Sequence, residues 1–193
     1  MLEPQDRMTL LKVARRAVGL AADGQPLPPL EVESDSAVLH AAGSSFVTLT
    51  QRGALRGCIG GLEARQPLIV DVWQHAYAAA REDPRFEPVG PDELDGLEIE
   101  VSCLTEPSPL QVDPARLTTA LRPGLDGVIL RRGLQRATFL PQVWEKVPDP
   151  VEFLDMLSDK AGLPRSAWRR GEVEVLIYQV ESFEEEARPG ASA

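Results

Sequence analysis

The sequence is poor in the residues on which several classes of protein depend. It contains two cysteines, Cys58 and Cys103, and two histidines, His40 and His75. So few cysteines exclude a disulfide scaffold and predict free thiols in a reducing compartment. Because no Cys-x-x-Cys or His-Glu-x-x-His spacing occurs, we expect no dedicated zinc site. No residue pattern identifies a cofactor.

Long apolar runs and net positive charge are also missing. No stretch reaches the ~18 consecutive apolar residues needed to span a bilayer, and the N-terminus has no signal-peptide pattern. We therefore expect a cytoplasmic protein without a membrane partner. The net charge is −10, whereas binding to nucleic acid phosphates depends on Lys and Arg. A nucleic-acid role, RNA modification included, is therefore the least favoured of the functions considered.

The hydrophobic pattern predicts helices and strands in alternation. Apolar residues at helical spacing (Met8, Leu11, Ala14, Val18 and Ala21) predict a first helix between Pro4 and Asp23-Gly24. Further helices are expected from Pro67 to near Asp83, and from the N-cap Asp149 to Gly162. Strands are expected at 45–50, 54–59, 97–104, 127–130, 134–140 and 172–180, with an extended connection at 25–36 and a frayed tail from 184 to 193. Hairpins mixed with crossover helices predict an α+β fold with a mainly antiparallel sheet.

The strand at 97–104 alternates strictly between apolar and polar residues. Leu97, Ile99, Val101 and Cys103 share one face, while Glu98, Glu100 and Ser102 share the other. We expect the first face, including Cys103, to lie in the core and the second to face water or a cleft.

The order hairpin, helix, strand occurs at about 45–104 and again at about 127–181, which predicts an internal duplication. A shift of 80 residues aligns Arg52-Gly53 with Arg132-Gly133, Arg56 with Arg136, and Cys58 with Thr138. Chance is the alternative explanation, because arginine is common in this chain. A duplication requires the same strand order and connectivity in both copies.

The best candidate for a functional site is the glycine-rich segment 51–61. If 54–59 is a regular strand, Arg56 and Cys58 point to the same face, ~6.6 Å apart along the chain. A guanidinium beside a thiol favours the thiolate, which is the nucleophilic form. Gly57 and Gly60 would leave room beside the sulfur. The alternative is that Cys58 is a small buried hydrophobe and Arg56 a surface ion-pair partner.

A histidine could activate the thiol, because His75 lies four residues after Asp71 on one helical face. A Cys58–His75–Asp71 triad is therefore conceivable, although a solvated pair on the helix surface is the favoured interpretation. Asp83-Pro84-Arg85-Phe86 predicts a helix stop with an exposed charge pair.

The segment Leu55-Arg56-Gly57-Cys58-Ile59-Gly60 resembles the signature of the AMMECR domain family, whose prokaryotic members are described as protein A of an AmmeMemoRadiSam system. Other segments resemble the family in the same order. They are Phe46-Val47-Thr48-Leu49, Ala78-Ala79-Ala80, Asp83-Pro84-Arg85-Phe86, Leu97 to Ser102, Phe139 to Val143, and Lys160-Ala161-Gly162-Leu163. The resemblance covers about residues 44–180 and implies that residues 1–193 hold one AMMECR-type domain.

The resemblance implies an α+β fold in two lobes, at about 1–110 and 111–183, with a cleft that the hexapeptide lines. It also implies Memo-like and radical-SAM proteins as partners in a modification pathway. Relatives do not characteristically have histidine at the position of His75, which argues against the triad.

Two functions from different classes follow. In the first, the chain is an enzyme or carrier whose candidate catalytic residues are Cys58 and Arg56. Its candidate binding residues are Gly57, Gly60, Arg85, Glu100, Ser102 and Gln142. In the second, the chain is a non-catalytic adaptor and the segment 55–60 is structural.

Overall fold

The structure is a computed structural model that describes residues 2–31 and 35–185. The helices are α1 (Pro4–Ala22), α2 (Ala37–His40), α3 (Leu68–Arg81), α4 (Leu117–Ala120) and α5 (Pro150–Lys160). Short 3₁₀ helices occur at Pro91–Gly96, Pro114–Arg116, Pro141–Glu145 and Trp168–Arg170. Within the described ranges, no helix has the length and apolar character that crossing a bilayer would need.

Nine strands form two sheets in the described part of the chain. The strands are β1 (Ala42–Gln51), β2 (Ala54–Gly60), β3 (Gln66–Pro67), β4 (Leu97–Leu104), β5 (Ser108–Pro109), β6 (Gly127–Arg132), β7 (Gln135–Phe139), β8 (Glu174–Tyr178) and β9 (Val180–Glu184). The first sheet has the order β2-β1-β4-β9, with β3 paired to β1. The second has the order β5-β8-β6-β7. Since β1 pairs antiparallel with β2, β3 and β4, and β8 and β6 pair antiparallel with their neighbours, the α+β fold with mainly antiparallel sheets is confirmed.

The chain divides into two compact units. Unit 1 consists of Met1–Leu104 together with Glu181–Ala193, and unit 2 consists of Thr105–Val180. Each unit has its own sheet and its own cluster of buried apolar side chains. The cleft that the resemblance implies stays a prediction.

In unit 1 the helices cover one face of the sheet. Val47 and Leu49 of β1 and Ile99 and Val101 of β4 are completely buried on this face. Helix α1 begins at Pro4 as predicted, and Ala14, Val18 and Ala21 of its predicted face are completely buried. The prediction is wrong for Met8, which is exposed, and for Leu11, which is half-buried, while Leu10, Val13 and Ala17 also fill the core. Every turn of this helix carries several apolar residues, so spacing alone does not choose among them.

The two units repeat the same topology. In unit 1, β1 lies between its hairpin partner β2 and the later strand β4, with α3 in the connection. In unit 2, β6 lies between β7 and β8, with α5 in the connection. The strand order and connectivity required by a duplication are therefore present, and common descent stays a hypothesis.

The predicted alignment of the two repeats is wrong by one residue at the hairpin. Gln51 pairs with Ala54 across the turn Arg52-Gly53, and Arg132 pairs with Gln135 across the turn 133–134. The shift is therefore 81 residues in the first strand and the turn, and Arg56 does not correspond to Arg136. Beyond the extra residue Arg56 the shift returns to 80, so Cys58 corresponds to Thr138 as predicted.

The structure changes two other predicted boundaries, the end of the strand 172–180 and the start of the frayed tail. The predicted strand 172–180 corresponds to β8, which ends at Tyr178, and its last residue, Val180, begins β9 in the other sheet. The predicted frayed tail begins too early, since Glu184 lies in β9 and the Glu185 amide donates to the Ile99 carbonyl at 3.1 Å. Residues 32–34 of the predicted connection and 186–193 of the predicted tail lie outside the described residues.

Candidate functional site

A β-bulge in β2 determines where the thiol points. Leu49 of β1 pairs with Gly57, but Thr50 pairs with Leu55, so Arg56 is an extra residue without a partner. In an antiparallel pair, directly opposed side chains share a face, and one inserted residue reverses the faces beyond it. Cys58 therefore lies opposite Thr48, on the face of the sheet away from α1 and α3. Without the bulge it would lie opposite Val47, which is completely buried.

Two polar groups lie against the half-buried Cys58 thiol. The Thr48 hydroxyl donates to Cys58 Sγ at 3.4 Å. The Arg85 guanidinium lies against Cys58, where its Nη2 donates to the Cys58 carbonyl at 3.1 Å and its charge interacts with the thiol. The pKa of Arg85 is raised above its ordinary value, first by its hydrogen bonds to Asp83 and to a smaller extent by Cys58. Arg85 is therefore the cation beside the sulfur.

Asp83 and Arg85 together cap the free edge of β2 at Cys58. The Cys58 amide donates to Asp83 Oδ2 at 2.9 Å, and Arg85 Nη2 donates to the Cys58 carbonyl at 3.1 Å. These bonds replace the two that a further strand would supply, so they fix the backbone at the thiol. Arg85 also binds both carboxylate oxygens of Asp83, at 2.9 and 2.6 Å.

Burial and charge distinguish the two residues of this cap. The Asp83 side chain is 2% exposed, and the Arg85 side chain is 53% exposed. Hydrogen bonding to Arg85 lowers the pKa of Asp83 far below its ordinary value, so the carboxylate stays charged at neutral pH. The predicted helix stop is confirmed, but the prediction of an exposed charge pair is wrong for Asp83. The exposed member, Arg85, presents positive charge to solvent next to the thiol.

The prediction that Arg56 lies beside the thiol is wrong. Its guanidinium donates to both carboxylate oxygens of Glu93, at 2.7 and 2.9 Å. It also donates to the carbonyls of Glu87 at 2.9 Å and Pro88 at 3.3 Å. Arg56 is the bulge residue, so regular alternation does not place it with Cys58, and its donors anchor β2 to the segment 87–93. A catalytic role for Arg56 stays untested, but the geometric premise for it fails.

The glycines of the hexapeptide permit close packing within the scaffold. A Cβ on Gly57 would lie 2.2 Å from the carbonyl oxygen of Ala79 in α3. A Cβ on Gly60 would lie 2.4 Å from the ring of Phe46, its partner on β1. Each glycine is thus required by a neighbouring chain segment. We expected these glycines to leave room beside the sulfur, but neither contact does so.

The polar face of the sheet continues from Cys58 across β1 to β4. Thr48 pairs with Cys58 on one side and with Glu100 on the other, so the three side chains form a row. In the neighbouring row, the Ser102 hydroxyl donates to Glu100 Oε1 at 3.2 Å and is 2.8 Å from the Ser182 hydroxyl of β9. Ser102 was expected to face water or a cleft, but it is buried, with Ser182 of the neighbouring strand in contact with its hydroxyl. Glu100 is half-buried and remains a candidate to contact a ligand.

The Cys58–His75–Asp71 triad is contradicted by the sheet itself. His75 Nδ1 lies 3.0 Å from Asp71 Oδ2, and the Ser45 hydroxyl donates to the same oxygen at 2.7 Å. Ser45 pairs with Cys103 on the helix-covered face, so the sheet separates this cluster from Cys58. The pairing of His75 with Asp71 is confirmed, but the pair is not solvated, because Asp71 is buried and His75 is mostly covered.

The two remaining candidates lie apart from this row. Cys103 is in the core as predicted, and burial raises the pKa of its thiol to about 12. Gln142 is exposed on the 3₁₀ helix Pro141–Glu145 of unit 2, and its proposed binding role stays untested. Across the described residues, no group of three or more His, Cys, Asp or Glu side chains could hold a metal ion.

Sequence reasoning missed Thr48 and the role of Asp83 in the site. A two-residue turn at 52–53 implies a regular register that places Cys58 opposite Val47. Only the bulge moves it to Thr48, and no residue pattern marks a bulge centred on arginine. For Asp83 a signal was available: an aspartate at a helix end, two residues before an arginine, can bind both that arginine and a neighbouring amide.

Comparison with known proteins gives this site a family context. A family model described as AMMECR1 matches residues 11–183. A protein of Methanothermobacter thermautotrophicus is 41% identical over 187 residues, covering 96% of this chain and 97% of the relative. A protein of Methanosarcina acetivorans is 34% identical over 193 residues, covering 98% and 96%.

A solved structure is similar in fold as well as in sequence. The crystal structure of an uncharacterized protein from Pyrococcus horikoshii has a TM-score of 0.79 and 35% identity, covering 92% of this chain and 90% of that one. These matches confirm the resemblance first carried by the segment 55–60, and the chain belongs to the AMMECR1 family.

Proposed function

We propose that unit 1 binds a small anionic ligand at Cys58, with the thiol as nucleophile or ligand-binding group and Arg85 as the cation that holds the anion. The observation that carries this proposal is the position of an exposed guanidinium beside a half-buried thiol. Positive charge attracts an anion to the place where the sulfur lies. The role that the sequence analysis assigned to Arg56 therefore passes to Arg85.

The surrounding residues support a prepared site rather than a chance surface thiol. The Thr48 hydroxyl orients the sulfur, and the bonds from Asp83 and Arg85 to the Cys58 backbone hold its position. Glu100 contributes a carboxylate on the same row, where it could accept a proton from a bound ligand. This proposal extends to a cytoplasmic location, because both cysteines are free thiols.

The reactivity of the two cysteines toward a charged and a neutral reagent tests the proposal. We expect iodoacetate, an anion, to alkylate Cys58 faster relative to iodoacetamide than it alkylates a free thiol in solution. In Arg85→Leu this preference for the anion should fall by about tenfold, since one charge interaction near a protein surface contributes about 1–4 kcal/mol. Peptide mass spectrometry separates Cys58 from Cys103, which serves as the buried control in every sample.

Either of two results for Cys58 would overturn the proposal. If Cys58 shows no preference for iodoacetate, or keeps the same preference in Arg85→Leu, then Arg85 does not hold an anion at the thiol. An Arg131→Leu variant is the matched control, because Arg131 is a paired surface arginine of unit 2.

A second candidate function is an adaptor without catalysis, in which the segment 55–60 is structural. The close packing at Gly57 and Gly60 and the four hydrogen bonds of Arg56 favour this candidate. In either case we propose Memo-like and radical-SAM proteins as the partners, on the strength of the family resemblance. If Cys58→Ala still co-purifies with such a partner, the adaptor is supported. If that variant keeps its fold but loses function, the thiol site is supported.

A further inference from the structure

A groove of about 690 Å³ runs along α1 of unit 1, on the helix side of the sheet and therefore on the opposite face from Cys58. It plays no part in the proposed function. Residues of helix α1 and of the end of β9 line it.

The floor of the groove is apolar. Met8 is 48% exposed, although most other apolar side chains of α1 are buried. Leu11 and Phe183 pack against the core of unit 1 and remain only partly covered. Together these side chains leave a small apolar surface that an apolar side chain of another molecule can cover.

The groove lining carries four basic and two acidic side chains, and two of its cations form no ion pair among the described residues. Arg7 pairs with Glu181 at 2.6 Å, and Arg15 pairs with Glu185. Lys12 and Arg16 have no carboxylate partner, and the Arg16 guanidinium lies 5.5 Å from the centre of the Trp73 ring. In a chain with net charge −10, two such cations beside an apolar floor are complementary to an acidic apolar ligand.

We propose that this groove, called the α1 groove below, binds an acidic amphipathic segment of a partner protein. An apolar side chain of the segment fills the floor between Met8, Leu11 and Phe183. Lys12 and Arg16 are one helical turn apart, about 6 Å along the axis, so they match two carboxylates on successive turns of a partner helix. The chain's own residues 186–193 do not fit this role, because they contain no large apolar side chain.

A titration of the ¹⁵N-labelled full chain tests the proposal. The probe is an amidated helical peptide of about 14 residues with leucines at i, i+3 and i+7 and glutamates on the flanks. We expect backbone amide shifts confined to residues 4–16 and 183–185. A matched peptide with lysine in place of each glutamate should bind at least about tenfold more weakly.

Variants of the protein assign the contacts. Lys12→Glu should weaken binding of the acidic peptide by about tenfold, and Met8→Ser should weaken both peptides. Lys12 is exposed and makes no ion pair within the described residues, so its replacement leaves the fold intact. Lys146→Glu, which changes an exposed lysine of unit 2, is the matched control and should have no effect.

Four results would overturn the proposal. The first is the absence of shifts at about 2 mM peptide, and the second is equal binding of the acidic and basic peptides. The third is binding that appears only in a chain ending at Glu185, which would assign the groove to residues 186–193. The fourth is a dimer in sedimentation equilibrium that dissociates in Lys12→Glu, which would assign the groove to a second copy of the chain.

Discussion

At the scale of single residues, the surroundings of Cys58 come from two other segments of the chain. Thr48 reaches the sulfur from the neighbouring strand, while Asp83 and Arg85 reach its backbone and side chain from the turn after α3. The buried Asp83 carboxylate binds Arg85 and so holds the exposed guanidinium near the thiol. Asp83 is thus a positioning residue, and Arg85 is the residue available to a ligand.

Asp83 should make the stability of unit 1 depend on pH. The folded-state pKa values of Asp83 and Glu93 are lowered, each mainly by hydrogen bonding to an arginine. Stabilisation from a lowered pKa is complete above the unfolded-state value of about 4 and is lost as the pH falls through the folded-state value. We therefore expect the free energy of unfolding of the wild type to decrease below about pH 4.

Replacement of the carboxylate tests this dependence. Asp83→Asn should cost about 1–3 kcal/mol at pH 7, because a charged hydrogen-bond acceptor is lost beside a buried amide. The difference from the wild type should shrink between about pH 4 and pH 2. Urea unfolding at several pH values measures both effects, with the exposed Glu145→Gln as control. A difference that stays constant with pH would contradict the account.

At the scale of elements, the bulge in β2 is the feature on which the site depends. One extra residue at Arg56 turns Cys58 from the buried face to the open face. The corresponding hairpin of unit 2 pairs regularly from Val128↔Phe139 to Arg132↔Gln135, without a register shift. The two hairpins share a topology, but only the hairpin of unit 1 presents a thiol next to a bulge.

Close packing of β2 on α3 should make Gly57 indispensable. A Cβ there would meet the Ala79 carbonyl, which belongs to the helix backbone and cannot rotate away. We expect Gly57→Ala to destabilise the protein by about 3 kcal/mol. Gly19→Ala is the control, because nothing lies within 4 Å of that position, and it should stabilise α1 by about 0.5–1 kcal/mol. Thermal unfolding measures both, and a neutral Gly57→Ala would contradict the packing described here.

Most elements could be predicted from the sequence, because each carries local signals. The N-cap Asp149 accepts a hydrogen bond from the Glu152 amide at 2.8 Å, as the sequence pattern indicated. The order of strands in the two sheets could be predicted only in part. Strands β8 and β9 form one continuous apolar-rich run in the sequence, but they belong to different sheets. The bulge could not be predicted, because no residue pattern in 54–60 marks the extra residue at Arg56.

At the scale of the whole molecule, the chain is two units with separate cores. Unit 2 is contiguous in sequence, and its buried side chains, Trp144, Phe153 and Leu157 among them, form one cluster. Unit 1 is discontinuous in sequence, because β9, which belongs to its sheet, follows unit 2 along the chain. A contiguous unit with its own core is expected to fold independently.

Expression of fragments tests this division. We expect residues 105–180 to give dispersed amide resonances and cooperative thermal unfolding, because the core of unit 2 lies entirely within them. Residues 1–104 should be less stable than unit 1 in the full chain, since they lack β9 and the Glu185 carboxylate that pairs with Arg15. A disordered 105–180 fragment would show that unit 2 depends on unit 1.

The central claim is that Arg85, and not Arg56, supplies the positive charge at the Cys58 thiol. The most direct measurement is the rate of Cys58 alkylation by the anion iodoacetate at pH 7 in the wild type, Arg85→Leu and Arg56→Leu, each checked for folding by its amide spectrum. We predict that Arg85→Leu slows alkylation by about tenfold, while Arg56→Leu lowers stability but leaves the rate within about twofold. An unchanged rate in Arg85→Leu, or a slowed rate only in Arg56→Leu, would contradict the claim.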